Sequence, residues 1–207
     1  MENEPVETIK YKGLDIKVFQ DDNYDSPNDW GDNDCFLVHY HRDFQVERND
    51  IITKSNLVDW YNGEKIDQEK KYHIFLVKAY IHSGVALALE DSGRTFPDER
   101  WDTSHSGCVL VSKEEAKTKK KAFERASGLI DIWNDNLSGN VYGYMIDEIN
   151  EGCWSYYGDY QTSGLITDAK NAIDFVLVEE TKKHIKRVKA QIKNNVALDK
   201  RKAFSVC

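Results

Sequence analysis

Tyr80-Ile-His-Ser-Gly84 and Trp101-Asp-Thr-Ser-His-Ser-Gly-Cys-Val-Leu-Val111 bound the stretch that decides the fold. The apolar runs Tyr72–Tyr80 and Cys108–Val111 are typical of buried strands, because they are short, rich in β-branched and aromatic residues and bounded by Ser-Gly pairs. The polar residues between the two runs predict a connecting loop. That loop gathers histidines, serines and Asp102, so it is the first place to look for a site.

Period-two alternation of apolar residues predicts further strands on both sides of this stretch. The predicted strands are Glu7–Tyr11 and Leu14–Phe19 as a hairpin, then Cys35–His41, Val85–Leu89, and a second hairpin of Asn140–Ile149 and Glu151–Tyr157. A short helix is expected at Ser55–Tyr61, with Ser55 as its N-cap, followed by a polar linker at Gly63–Lys71.

Two longer segments have helical periodicity. Ser112 and Glu115 form a capping-box pattern that predicts a helix over about residues 112–137, ending near Gly139. Thr167 or Asp168 is expected to cap a long C-terminal helix over about residues 167–202. The sequence therefore predicts an α+β fold with a mainly antiparallel sheet. It also predicts a core domain over residues 1–166 and a C-terminal helix over residues 167–207, basic in its second half.

The composition is that of a globular chain. Its 207 residues are 40% hydrophobic and 31% charged, and the mean hydropathy is −0.66. No apolar run approaches the roughly 20 residues that a membrane span requires, and the acidic N-terminus lacks the apolar core of a signal peptide. We therefore expect a cytoplasmic protein, in the host cell if the chain comes from a phage. The four cysteines (Cys35, Cys108, Cys153 and Cys207) show no Cys-x-x-Cys spacing, which favours reduced, buried thiols.

The net charge of −8 hides a strong asymmetry. Residues 182–202 contain nine Lys or Arg and one acid, which leaves 19 basic and 35 acidic residues, or −16, for the rest of the chain. A body this acidic repels phosphates and disfavours direct nucleic-acid binding. The basic C-terminal helix does not repel phosphates in this way. It can meet a partner, an acidic surface or nucleic acid, or form a homodimer along its near-heptad apolar stripe. The alternative is a solvated helix end that folds back on the acidic body.

Two groups of residues raise the question of a metal. Residues 21–34 contain six aspartates, but their spacing lacks the glycine and closing glutamate of an EF-hand loop. His39 and His41 lie two apart on a predicted strand and share a face, with Asp43 close by. We favour a solvated acidic loop and a hydrogen-bonded histidine pair, and we expect neither a metal nor a cofactor.

Three segments together resemble a family of uncharacterised proteins from bacteriophages and other mobile elements. The family has an early Ser-Pro-x-x-Trp-Asp motif, a His-Ser-Gly … Trp-Asp-Ser-Gly-x-x-Gly block, a Gly-Asp-Val-Tyr-Gly-Phe strand and an Asp-Ser-Cys-Trp-Gly-Phe-Tyr-Gly strand. The matching residues here are Ser26–Trp30, His82–Gly84 with Trp101-Asp102 and Gly107, Gly139–Tyr144, and Cys153–Gly158. The resemblance spans roughly residues 6–170 and leaves out the basic helix.

This chain departs from the family pattern at polar positions. Gly31 stands where the family has Asp, and Thr103-Ser104-His105 follows Trp101-Asp102 in place of Ser-Gly. Glu151-Gly152 precedes Cys153 in place of Asp-Ser. The resemblance implies a phage or mobile-element origin and no particular activity. Such genes often serve host takeover or evasion of host defence, including anti-CRISPR and anti-restriction proteins.

Two functions follow as hypotheses. The first is an accessory protein that binds and inhibits a host defence complex, with the acidic body mimicking nucleic acid. Its candidate binding residues are Asp25, Asp29, Trp30, Asp32, Asp34, Trp101, Trp154, Tyr156, Lys186 and Arg187. The alternative is a small hydrolase or metal-dependent enzyme that uses His82, Asp102 and His105, but the sequence has no Gly-x-Ser-x-Gly elbow to support it.

Overall fold

A computed structural model describes residues 4–30, 34–97 and 102–195, and confirms the α+β fold. The strands are β1 (Glu7–Tyr11), β2 (Leu14–Gln20), β3 (Cys35–His41), β4 (Phe44–Val46), β5 (Tyr72–Ile81), β6 (Val85–Leu89), β7 (Thr103–Ser112), β8 (Val141–Ile146) and β9 (Glu151–Tyr157). The helices are α1 (Lys54–Tyr61), α2 (Gln68–Lys71), α3 (Lys119–Ser138) and α4 (Leu165–Asn195). Short 3₁₀ turns occupy Pro27–Asp29, Glu90–Ser92 and Asp147–Ile149.

The strands form two antiparallel sheets rather than one. The chain separates into two compact units, the first formed by residues 1–19, 143–154 and 160–207 and the second by residues 20–142 and 155–159. Sequence periodicity identified most strands correctly, but it does not say which strands pair. The predicted division into residues 1–166 and 167–207 stays a prediction.

The four-stranded sheet has the order β1-β2-β8-β9. Both predicted hairpins are present, and Ile9 pairs with Ile16 in the first of them. In the first unit, the N-terminal half of α4 buries Leu165, Ala169 and Ile173. The Tyr11 hydroxyl donates to the Asp174 carboxylate at 3.2 Å and ties this half of the helix to β1.

The five-stranded sheet of the second unit has the order β4-β3-β7-β5-β6, with β7 at its centre. Side chains alternate across it, as a strand requires. Val109 and Val111 join the core on the α3 face, whereas Cys108 and Leu110 join the core beside α1. Burial on both faces explains why Cys108–Val111 is continuously apolar.

The polar residues before Cys108 were expected in a loop, and this prediction is wrong. Strand β7 begins at Thr103, which pairs with Tyr80, and Ser104 pairs with Ala79. Val77 already pairs with Gly107, so β7 holds one residue more than β5 between these pairs, which is a β-bulge. Pairing with β5 satisfies the backbone here and overrides the turn preference of Ser and Gly.

Three predicted element boundaries also need correction. Ser112 does not cap a helix but ends β7, and its N–H donates to the Asp34 carbonyl at 2.7 Å. Helix α3 begins at Lys119, and the Thr118 hydroxyl accepts from Lys121 N at 3.3 Å. In the same way α1 is capped by Thr53 rather than Ser55.

The remaining boundary differences are small. The linker at Gly63–Lys71 contains the short helix α2. Helix α4 starts at Leu165, two residues before Thr167, and its predicted end near Lys202 lies outside the described residues. Helix α3 ends where predicted, because Gly139 adopts the left-handed conformation with φ 72° that a side chain resists.

Two of the cysteines match the expectation of reduced, buried thiols. Cys35 and Cys108 are free and buried, and burial raises the pKa of each thiol to about 12. Cys153 is free but exposed, because β9 leaves residues 151–155 exposed, and Cys207 lies outside the described residues. Within the described ranges, every helix is too short or too polar to cross a membrane.

Candidate functional site

The acidic loop (residues 21–34) is held in a fixed shape through residue 30, where the described part ends. Asp21 is buried, and its Oδ2 accepts from the Ser155 backbone N–H at 3.0 Å. Its own N–H donates to the Val141 carbonyl at 2.8 Å. Asp21 therefore anchors the loop and is not available to a ligand.

Asn28 makes a second anchor. Its side chain behaves like a strand partner for Leu37, donating from Nδ2 to the Leu37 carbonyl at 2.7 Å and accepting from the Leu37 N–H at 3.1 Å. Asn28 is itself buried, next to buried Pro27. These bonds join the loop to β3. The Ser26 hydroxyl caps the 3₁₀ turn that positions Asn28 for them.

Three aromatic rings complete the loop. Trp30 contacts Tyr157 edge-on with ring centroids 5.0 Å apart, and Tyr24 contacts the same ring at 6.4 Å. The Tyr24 hydroxyl donates to the Asn136 carbonyl, and the Tyr157 hydroxyl donates to the Asp25 carbonyl, each at 2.9 Å. Trp30 nevertheless remains 37% exposed, so one face of the indole is free to meet solvent or a partner.

An apolar groove of about 460 Å³ opens beside Trp30. Trp30 and Pro27 form one wall, and Leu129 and Ile132 on α3 form the other. Arg125 also reaches the groove, and it is partly neutralised by Glu115 at 3.7 Å. The volume suits a large apolar side chain.

The loop that carries Trp30 is acidic. Asp22, Asp25 and Asp29 are exposed, and no Lys or Arg occurs between Gln20 and Asp34. On α3, burial raises the pKa of Asp135, and the neighbouring charge of Asp131 raises it further. We call Asp22, Asp25 and Asp29, together with Trp30 and the groove, the acidic face.

The catalytic candidates do not come together. His82 Nδ1 lies 3.4 Å from the Asp102 carboxylate, and the His82 side chain is 65% exposed. His105 pairs instead with Glu90, its Nδ1 lying 3.1 Å from Oε2. Asp102 therefore lies beside His82, and His105 belongs to a separate pair with Glu90.

The bulge in β7 shapes the surroundings of His105. His105 and Ser106 both line a small cavity of about 130 Å³ against α1, where Leu57 and Val58 supply apolar walls. The Ser106 hydroxyl accepts from Ser104 at 2.9 Å. A general base needs a nucleophile within hydrogen-bond reach, and His105 Nδ1 instead contacts the Glu90 carboxylate.

The predicted histidine pair is a structural feature. His39 is fully buried, with Nδ1 2.9 Å from the Phe44 carbonyl, and burial lowers its pKa. Its ring centroid lies 6.5 Å from that of His41. Within residues 4–30, 34–97 and 102–195, no three His, Cys, Asp or Glu side chains are grouped as metal ligands would be.

The other predicted binding residues belong to different parts of the chain. Trp154 and the basic pair Lys186 and Arg187 are exposed in the first unit, where Trp154 packs on Phe19 at 6.1 Å. Tyr156 is half-buried, and Asp34 leads into β3. Asp32 and Trp101 lie outside the described residues.

Sequence reasoning missed the partners of the loop. Tyr24 and Ile132 were not singled out, and Tyr157 was named only as the end of a predicted strand. Tyr157 and Asp25 are 132 positions apart, and no local pattern indicates such a contact. The signal that was available is the concentration of Tyr and Trp at the ends of apolar runs.

Comparison with known proteins gives no relative: no family model, curated protein or solved structure matches this chain.

Proposed function

We propose that the protein acts by binding, and that its acidic face occupies a basic, nucleic-acid-binding cleft on a host defence complex and so inhibits it. The observation that carries this proposal is the partly exposed Trp30 beside an apolar groove, on a loop whose Asp22, Asp25 and Asp29 are exposed as well. A buried aromatic anchor inside a charged rim is how protein interfaces combine affinity with specificity.

The rigidity of the acidic loop supports the same proposal. Asp21, Asn28 and Tyr157 hold the loop through hydrogen bonds that do not involve the exposed carboxylates of Asp25 and Asp29. A surface that is ordered before binding loses less conformational entropy when a partner arrives. The exposed aspartates therefore stand at fixed positions, as phosphates do along a nucleic-acid strand.

The choice of a defence complex as partner rests on the sequence. The chain resembles phage and mobile-element proteins in several segments, and one of them, Ser26–Trp30, contributes Asp29 and Trp30 to the acidic face. Outside residues 182–202 the chain carries a charge of −16, so it is attracted over long range to a basic cleft and repelled by the nucleic acid that the cleft normally holds.

The test is a pull-down from lysate of the bacterial host, followed by mass spectrometry, with three forms of the full chain. These are the unmodified chain, the variant Asp25→Asn/Asp29→Asn, and the control Glu64→Gln/Asp91→Asn, which removes two exposed charges elsewhere in the second unit. We expect the unmodified chain and the control to capture a nucleic-acid-binding defence component, and the loop variant to lose it.

A competition assay completes the test. The captured component is purified, and its nucleic-acid binding is measured as the unmodified chain is added. We expect displacement of the nucleic acid by the unmodified chain and at least tenfold weaker displacement by Asp25→Asn/Asp29→Asn. Capture of no defence component, or equal capture by the loop variant, would sink the proposal.

A further inference from the structure

The C-terminal half of α4 extends beyond the packed part of its helix. Leu165, Ala169 and Ile173 are buried, and Lys12 pairs with Asp174 at 2.7 Å. From Glu180 to Asn195, every residue is exposed. An isolated helix of this length is marginal in water, and in proteins most helical stability comes from packing an apolar face.

An apolar seam runs along this unpacked segment. It consists of Val178, Ile185, Val188 and Ile192, which are between 36% and 51% exposed. Their spacings of seven, three and four residues place Val178, Ile185 and Ile192 at the a positions and Val188 at a d position of a heptad. Thr181 and Asn195 occupy the other two d positions. The Thr181 hydroxyl donates back to the Leu177 carbonyl at 2.8 Å, so it needs no partner across the seam.

The seam is narrow, and this indicates the kind of surface that covers it. An apolar stripe restricted to a and d is the seam of a coiled coil, whereas helices that lie on a globular core or a membrane have a wider apolar face. The a positions are all β-branched, as is common in coiled coils. A nucleic acid would neutralise the lysines but would leave Ile185, Val188 and Ile192 in water.

The flanking charges indicate the partner. The e positions are Lys182 and Lys189, and the g positions are His184 and Gln191. Residues 182–195 contain six Lys or Arg and no acid. The two carboxylates of the segment, Glu179 and Glu180, lie at its start, and Glu179 already pairs with Lys182 at 2.8 Å. A second copy aligned in parallel would therefore bring the six cations of residues 182–195 beside six others, whereas a helix with glutamates at e and g would place carboxylates beside both flanking lysines.

We propose that residues 178–195 form a two-stranded coiled coil with an acidic heptad helix of another protein. This interaction uses a surface other than the acidic face and goes beyond the proposed function. Lys186 and Arg187, singled out from the sequence, stand at the b and c positions, so in this arrangement they face away from the seam. Lys182 and Lys189 make the charge-selective contacts.

The experiment uses the full chain and a designed 28-residue peptide with Ile at a, Leu at d and Glu at e and g. The glutamates keep the probe from pairing with itself. A second peptide carries Lys at e and g. Isothermal titration measures affinity, and sedimentation velocity measures the size of the free chain and of the complex.

Three variants separate the seam from simple charge attraction. Ile185→Gln/Ile192→Gln breaks the seam, Lys182→Glu/Lys189→Glu reverses the flanks, and Lys183→Glu/Lys193→Glu makes the same charge change at f and b positions. We expect 1:1 binding of the Glu peptide, at least tenfold loss on breaking the seam, and a switch to the Lys peptide on reversing the flanks. The control should stay within about threefold of the unmodified chain, since exposed ion pairs contribute little.

Several outcomes overturn the proposal. These are the absence of binding, equal loss in the control variant, and self-association of the free chain that Ile185→Gln/Ile192→Gln abolishes. A tighter interaction with anionic vesicles or duplex DNA that depends on the seam would also overturn it, by assigning the helix to a membrane or a nucleic acid. None of these outcomes depends on Asp25 or Asp29, so the acidic-face proposal stands or falls separately.

Discussion

Gly107 pairs with His39 across strands β3 and β7, and the strands pack closely there because glycine has no side chain. A Cβ on Gly107 would overlap the His39 ring at Cδ2 and would lie 2.9 Å from the Val38 carbonyl oxygen. His39 is fully buried and cannot move aside. Packing inside the sheet therefore accounts for the glycine at position 107.

Gly107→Ala should destabilise the second unit. We expect a loss of about 1–3 kcal/mol in the free energy of unfolding, because the added methyl group overpacks a closed site. Urea denaturation followed by fluorescence measures the loss. Gly84→Ala is the matched control, since a Cβ there meets nothing within 4 Å, and a comparable loss in both variants would contradict the packing argument.

His39 should make stability depend on pH. Burial lowers its pKa below the ordinary value of 6.5, so on acidification the unfolded chain takes up a proton before the folded chain does. The contribution of neutral His39 is therefore complete above pH 6.5 and is lost as the pH falls from there towards its folded pKa.

The variant that tests this is His39→Asn, which retains a donor for the Phe44 carbonyl and cannot titrate. We expect the unmodified chain to lose stability between pH 7 and pH 5, and the variant to lose less over the same interval. The free energy of unfolding from urea titrations across this range is the measurement. Identical slopes would assign the pH dependence to other groups.

At the level of elements, the start of α3 offers a sharp comparison. Thr118→Ala should cost about 1 kcal/mol, because the Lys121 N–H loses the hydroxyl that accepts from it. Thr118→Ser should retain most of that stability. The measurement is again the free energy of unfolding, and a neutral Thr118→Ala would show that the first turn is held by packing alone.

Predictability from sequence depended on how local each determinant is. The end of α3 was predictable because Gly139 alone sets it, and β1 and β2 were predictable because a tight turn joins them. The start of α3 was not, because Ser112 and Thr118 both follow cap patterns, and pairing of Ser112 with Tyr72 in the sheet decides between them. The two-sheet arrangement depends on β2 lying beside β8, far along the chain.

The candidate site shows the same limit. The exposed aspartates and Trp30 were identifiable from turn composition and a motif, and the structure places them on one loop. The contact of Trp30 with the Tyr157 ring could not be identified from sequence, since Tyr157 comes from the end of β9, far along the chain. His82, Asp102 and His105 were grouped together from the sequence, but in the structure His82 lies beside Asp102 whereas His105 pairs with Glu90.

At the scale of the whole molecule, the two proposals assign partners of opposite charge to different units. The acidic face belongs to the second unit, and the apolar seam with its flanking lysines belongs to the first. Under these proposals each surface repels a partner that suits the other, so a single chain would hold a basic and an acidic partner without competition between them. Such a bivalent chain raises the effective concentration of one partner near the other.

Hydrogen–deuterium exchange should show that local stability differs strongly between the sheet of the second unit and the end of α4. We expect the amides of β7 to exchange most slowly, because β7 is paired on both edges and buried on both faces. Residues 180–195 should exchange fastest among the helices, since every residue there is exposed and only helical hydrogen bonds resist opening. Mass spectrometry of peptic peptides, with and without the glutamate heptad peptide, makes the measurement. Added peptide should slow exchange in residues 180–195 and leave β7 unchanged. Strong protection of that segment in the free chain would contradict the picture of an unpartnered helix awaiting an acidic one.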